Sequence, residues 1–153
     1  MNKFFKRSAV ILFCFGTAVL LSCRQTAADE VCHERQCVTV DIARTPESQQ
    51  RGLMFVPSLP AEKGMLFIFP QSAEHRIWMK NTLIPLDIIW MDSARRIVHI
   101  ERNVPPCPKE TVSCPSYGPQ FEALYVLEVN AGIASQWGLS PGNTLEFRLK
   151  DFE

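Results

Sequence analysis

Most of the residue patterns that announce a chemistry are missing from this 153-residue chain. Ser48, Ser58 and Ser116 lack the G-x-S-x-G elbow, so serine hydrolysis has no support. No two cysteines have C-x-x-C spacing, which removes a thioredoxin-like redox role. His33, His75 and His99 are scattered, without a second His or acid at ligand spacing, so neither metal nor cofactor is expected. No phosphate-binding motif and no internal repeat occur. There is no basic stripe among the 16 Lys and Arg, which argues against nucleic acid as a partner. The longest apolar run near the N-terminus, Ser8 to Leu21, has 14 residues, where a spanning helix needs roughly 20.

That run is informative for another reason. Lys3, Lys6 and Arg7 precede it, and Leu20-Leu21-Ser22-Cys23 closes it. The pattern is a secretory signal peptide over residues 1–22 with a lipobox-like end, and the mature protein is expected to begin at Cys23 with lipid on its sulfur. Cleavage near Ala27-Ala28, releasing a soluble protein, is the runner-up. The expected location is the cell envelope, on the periplasmic or extracellular side of a bacterial membrane, and the expected partner is that membrane, held through Cys23. Removing residues 1–22 takes away three basic residues and no acid, leaving 13 basic and 16 acidic residues and a net charge of −3. A mature chain of this size suits one domain that buries about two thirds of its unfolded surface.

Four cysteines remain beyond the lipid site: Cys32, Cys37, Cys107 and Cys114. An even number in an exported chain reads as disulfides. Three connectivities are possible; two local loops, Cys32–Cys37 and Cys107–Cys114, are expected. Zinc is the sharper alternative, but the spacings do not match paired C-x-x-C.

Arg24 to Glu34 is polar and reads as a tether, which places the tether at 23–36 and the folded domain at 37–153. Val38, Val40 and Ile42 alternate with polar residues as in a half-buried strand. Thr45-Pro46-Glu47 starts a short helix running to Leu53, with Leu53, Met54 and Val56 pinning it to the core. Gly64 to Phe69 is a continuous apolar run, too short for a typical helix, and reads as a strand buried on both faces, while Leu86 to Met91 is a further apolar run interrupted only by Asp87. Further strands are expected at 75–79, 96–101, 122–129 and 145–149, and a second short helix from Ala131 to Trp137. The Pro-rich stretch from Asn103 to Gln120 is a long loop restrained by its cysteines. About seven strands and two short helices give a mostly β fold class: a compact single-domain β-barrel or jelly-roll-like sandwich.

Gly52-Leu53-Met54, Gly64 to Phe69, and above all Trp78-Met79-Lys80-Asn81-Thr82-Leu83-Ile84-Pro85-Leu86-Asp87-Ile88-Ile89-Trp90 resemble the bacterial and archaeal family catalogued as domain of unknown function 192. Tyr125 to Val129 and Ala131-Gly132 also match its pattern. The resemblance spans Val38 to Leu149. It implies a compact β-rich domain of jelly-roll-like character, often exported, and no assigned activity.

The polar cluster Lys80, Asn81, Thr82 and Asp87 interrupts apolar strands and is the sharpest candidate site. A charge in such a frame is expensive unless paired, so Lys80 or Arg51 is expected beside Asp87. One reading is a polar floor to a ligand groove walled by Trp78 and Trp90. The commoner reading is a turn cap with a buried ion pair. Glu128 is a second acid, and Asp87 with Glu128 forms a candidate acid–base pair for an envelope hydrolase. The expected ligand-binding set is Arg51, Trp78, Lys80, Asn81, Thr82, Asp87 and Glu128, with no catalytic residue. The leading expectation is a lipid-anchored domain that binds a small ligand or an envelope protein without catalysis; a structural accessory of an envelope complex is the third class.

Overall fold

The computed structural model describes residues 28–107 and 113–150. The expected signal peptide and Cys23 lie outside those residues. A hairpin opens the fold: β1 (Glu30–His33) turns through Glu34, whose φ of 54° is left-handed, into β2 (Gln36–Ala43). Cys32 faces Cys37 across the hairpin and the two are disulfide-bonded. The expected tether is therefore partly structure. Val31 and Cys32 are fully buried, because β1 lies inside the sheet between β2 and the last strand.

Helix α1 (Pro46–Arg51) starts where Thr45-Pro46 predicts. Thr45 Oγ1 accepts from the Ser48 N–H (3.2 Å), and Ser48 Oγ accepts from the Thr45 N–H (3.0 Å). The helix stops two residues earlier than expected, because Gly52 turns the chain with φ of +47°. No residue within the helix is buried. Leu53 pins it from just beyond its end, and Gln49 Nε2 donates to the carbonyls of Ala43 (3.3 Å) and Ile68 (2.9 Å).

The remaining elements are β3 (Lys63–Ala73), β4 (Ile77–Trp78), β5 (Leu86–Met91), β6 (Ile97–Val104), β7 (Ser116–Tyr117), β8 (Ala123–Asn130), α2 (Ile133–Gln136) and β9 (Glu146–Arg148). Seven strands form one mixed sheet in the order β6-β5-β8-β3-β2-β1-β9, with β2 and β3 parallel and all other neighbours antiparallel. Strands β4 and β7 pair separately; β4 falls within the strand expected at 75–79, whereas β7 lies in the Pro-rich stretch expected to be a loop. Cys107 and Cys114 are bonded, so both expected local bridges are present.

The sheet is not closed into a barrel. Among the described residues its edges meet near the starts of β6 and β9, where the Ile97 N–H donates to the Asn143 carbonyl (2.8 Å) and the Leu145 N–H to the Arg95 carbonyl (3.1 Å). Strand β9 is three residues long, too short to zip further along β6. The result is a sandwich-like single domain with an apolar layer on each face of the sheet. One layer packs Leu66, Ile89, Met91, Leu127 and Val129 under α2 and Trp137. The other packs Phe67, Ile88, Trp90 and Val126 under Leu53, Ile77 and Met79. All six residues of β5 are buried, Asp87 among its five apolar residues included.

Candidate functional site

Between α1 and the β4–β7 pair, over the second apolar layer, lies a cleft of about 370 Å³. Its walls are Leu53, Phe67, Phe69, Ile77 and Trp78; Arg51 and Arg76 also line it, with Thr82 and Ser116. Glu128 lines it from β8. Strand register explains why an acid is there. Glu128 stands opposite Met65 on β3 and Ile88 on β5, so its side chain leaves the sheet on the face of Phe67 and Trp90.

Glu128 is 4% exposed, and its Oε2 has no hydrogen-bond partner among the described residues. Burial in this apolar frame pushes the carboxyl up to about 8, so it is mostly protonated at neutral pH. Gly52 makes the close approach possible. A Cβ there would stand 3.3 Å from Phe67 Cζ and 3.8 Å from Glu128 Oε2, on a backbone whose φ already disfavours a side chain. A protonated, unpartnered carboxyl beneath an open cleft can donate one hydrogen bond, accept others, or release a proton.

The second wall is held by several bonds. Trp90 Nε1 donates to the His75 carbonyl (2.7 Å), and the His75 ring stacks on Phe69 at 3.5 Å. Arg76 Nε donates to Ser116 Oγ (3.1 Å), tying β4 to β7. The Cys107–Cys114 bridge anchors the segment that carries Ser116.

Four of the seven residues expected to bind ligand line this cleft: Arg51, Trp78, Thr82 and Glu128. The other three do not. Lys80 is exposed, with Nζ 5.1 Å from the Trp78 ring centroid, and makes no ion pair with Asp87. Asn81 is a turn residue with φ of 58°. Its N–H donates to the Cys107 carbonyl (2.9 Å), and its own carbonyl accepts from Phe55 N–H (2.9 Å). Trp90 is fully buried and walls nothing.

Asp87 is the clearest correction. It is fully buried, and its partners are backbone amides rather than Lys80 or Arg51. Oδ1 accepts from Asn103 N–H (2.8 Å), and Oδ2 accepts from Gly132 (2.9 Å) and Ala134 (2.8 Å). Gly132 has no side chain to cap α2, and Asp87 supplies the cap from β5. Asp87 pairs with Val129, one position from Glu128, so the two acids leave the sheet on opposite faces. They cannot share a cleft as an acid–base pair. Sequence reasoning missed Gly52, Phe67, Phe69, Arg76 and Ser116 as lining residues; only Arg76, two positions before Trp78, offered a local cue.

A seven-stranded mixed sheet, a two-stranded pair beside it, and an open cleft with one orphaned acid define the class. The chain matches the model of domain of unknown function 192, described as an uncharacterized ACR family, over residues 28–147, and it belongs to that family. No curated protein matches it significantly. It is similar to a crystal structure of a protein of unknown function from Novosphingobium aromaticivorans DSM 12444, with 34% identity, 77% of this chain and 82% of that chain covered, and a TM-score of 0.69. A second solved relative, described as a candidate transcription regulator from Sinorhizobium meliloti 1021, shows 32% identity over 78% of this chain and 94% of that one, with a TM-score of 0.68.

Proposed function

We propose that this protein is a lipid-anchored binding domain of the bacterial envelope, and that it holds a small ligand in the cleft beneath α1 without covalent chemistry. The orphaned Glu128 carboxyl carries the reading. A buried polar atom without a partner costs stability, and a bound molecule that hydrogen-bonds it removes that cost. The signal-like N-terminus with Ser22-Cys23 and the two disulfides support an exported, oxidising location. An envelope protein seated over the mouth is the second reading. Phe55, Trp78 and Leu83 are exposed large apolar side chains that line the cleft or directly follow residues that do.

Fragment screening by amide NMR on the mature chain tests the proposal. Shifts caused by binding fragments should concentrate on Gly52, Thr82, Ser116 and Glu128. Shifts scattered over the surface, or none from any fragment, would overturn it.

A further inference from the structure

Resting on that binding reading, we propose that the cleft selects a small monocarboxylic acid with an aromatic body and a hydroxyl at its far end. The carboxylate meets Arg51 and the hydroxyl meets Glu128. Charge decides the first half. Arg51 and Arg76 line the cleft, and Glu128 is the one acid among the described lining residues. That acid is uncharged at neutral pH, so the cleft presents positive charge to an entering molecule. Arg76 already spends donors on Ser116. The Arg51 guanidinium makes no hydrogen bond or ion pair among the described residues and sits exposed beside Gly52, so its planar fork is open to a carboxylate.

The floor decides the far end. An ammonium at Glu128 would have to pass two guanidinium groups. A hydroxyl instead can donate a hydrogen bond to the carboxyl or accept one from its O–H, which satisfies the orphaned atom without creating a buried charge. Between the two ends, Phe67, Phe69 and Trp78 offer ring faces and edges. A volume of about 370 Å³ lies at the low end of small-molecule sites, which suits one ring and short substituents rather than a polymer.

Three probes that share one body separate the contributions: para-hydroxyphenylacetate, the neutral para-hydroxyphenylethanol, and the cationic tyramine. Titrated into the mature chain at pH 7, the acid should bind about tenfold more tightly than the alcohol, and the amine most weakly. Arg51→Glu, at an exposed position, should abolish the preference for the acid over the alcohol. Phenylacetate, lacking the hydroxyl, should bind about tenfold more weakly than its hydroxylated form, and Glu128→Leu should erase that gap. An alcohol or amine that binds as well as the acid overturns the proposal, as does an unchanged order in Arg51→Glu or no binding by the acid. If other fragments still shift the cleft amides, the binding reading survives that result. If nothing binds there, both fall.

Discussion

Glu128 should make the folded domain less stable as pH rises, and the size of the effect follows from its burial. Its carboxyl titrates at about 8 in the native state against an ordinary value of 4.5. Between those values the native state keeps a proton that the unfolded chain has released. The neutral acid's contribution is thus fully present below about pH 4.5, shrinks as pH climbs, and is gone above about pH 8. At about 1.4 kcal/mol per unit, the separation amounts to a loss on the order of 5 kcal/mol across that window. Against a typical domain stability of 5–15 kcal/mol, roughly a third or more would be lost. The assay is urea denaturation of the mature chain at half-unit steps from pH 4.5 to 9, beside Glu128→Gln, which keeps the shape and cannot ionise. Subtracting the two curves cancels the histidines and surface carboxylates. The gap should widen steadily towards pH 8 and then level off, with Glu128→Gln the more stable at the alkaline end. Parallel curves over the whole range would refute the reasoning, because they would mean that the carboxylate is solvated or paired in the native state.

Other perturbations probe the neighbouring features. Asp87→Ala leaves three backbone N–H groups, one buried and two part-buried, without their acceptor and should cost about 2–4 kcal/mol in denaturant unfolding; a change below about 1 kcal/mol would show that water replaces the carboxylate freely. Gly52→Ala places a Cβ 3.3 Å from Phe67 at a left-handed φ, and should lower stability by about 1–2 kcal/mol and weaken binding in the cleft. Replacing Cys107 and Cys114 by Ser should cost about 2 kcal/mol by calorimetry, since the bridge closes a loop of only a few residues. Metabolic labelling with a palmitate analogue should mark the full-length protein and not Cys23→Ala; equal labelling of both would sink the lipid anchor.

The parts of the fold legible in the sequence were those set by local chemistry. Thr45-Pro46 marks the start of α1, and the apolar run of β3 from Gly64 to Phe69, with that of β5 broken only by Asp87, announces strands. Strand β1 was not legible, because Glu30-Val31-Cys32-His33 carries only two apolar residues, and its burial comes from neighbours on either side, 36–39 and 146–148. Strand β7 has two residues in a Pro-rich stretch and exists because Ile77 and Trp78 pair with it. Barrel closure depended on how far β9 runs along β6, which no pattern of alternation states. Of the fifteen lining residues, four were legible as candidates. Trp78, Thr82 and Glu128 are conspicuous polar or aromatic residues close to apolar runs and Arg51 is a charge just before Gly52-Leu53, whereas Phe67 and Phe69 look like any other core aromatics.

The two buried acids show what sequence leaves undecided. Asp87 and Glu128 each interrupt an apolar strand, and by composition they are interchangeable candidates. Register separates them: Asp87 is opposite Val129, and Glu128 is opposite Ile88. A slip of one residue between β5 and β8 would place both carboxylates on one face, as a paired-acid hydrolase requires. In the register the chain adopts, one face brings the Asn103, Gly132 and Ala134 amides to Asp87 and spends its charge on joining β5, the end of β6 and α2. The opposite face brings Glu128 only apolar side chains and an open cleft. An acid with all its bonds made within the fold has no reason to meet a ligand, and an acid with none does.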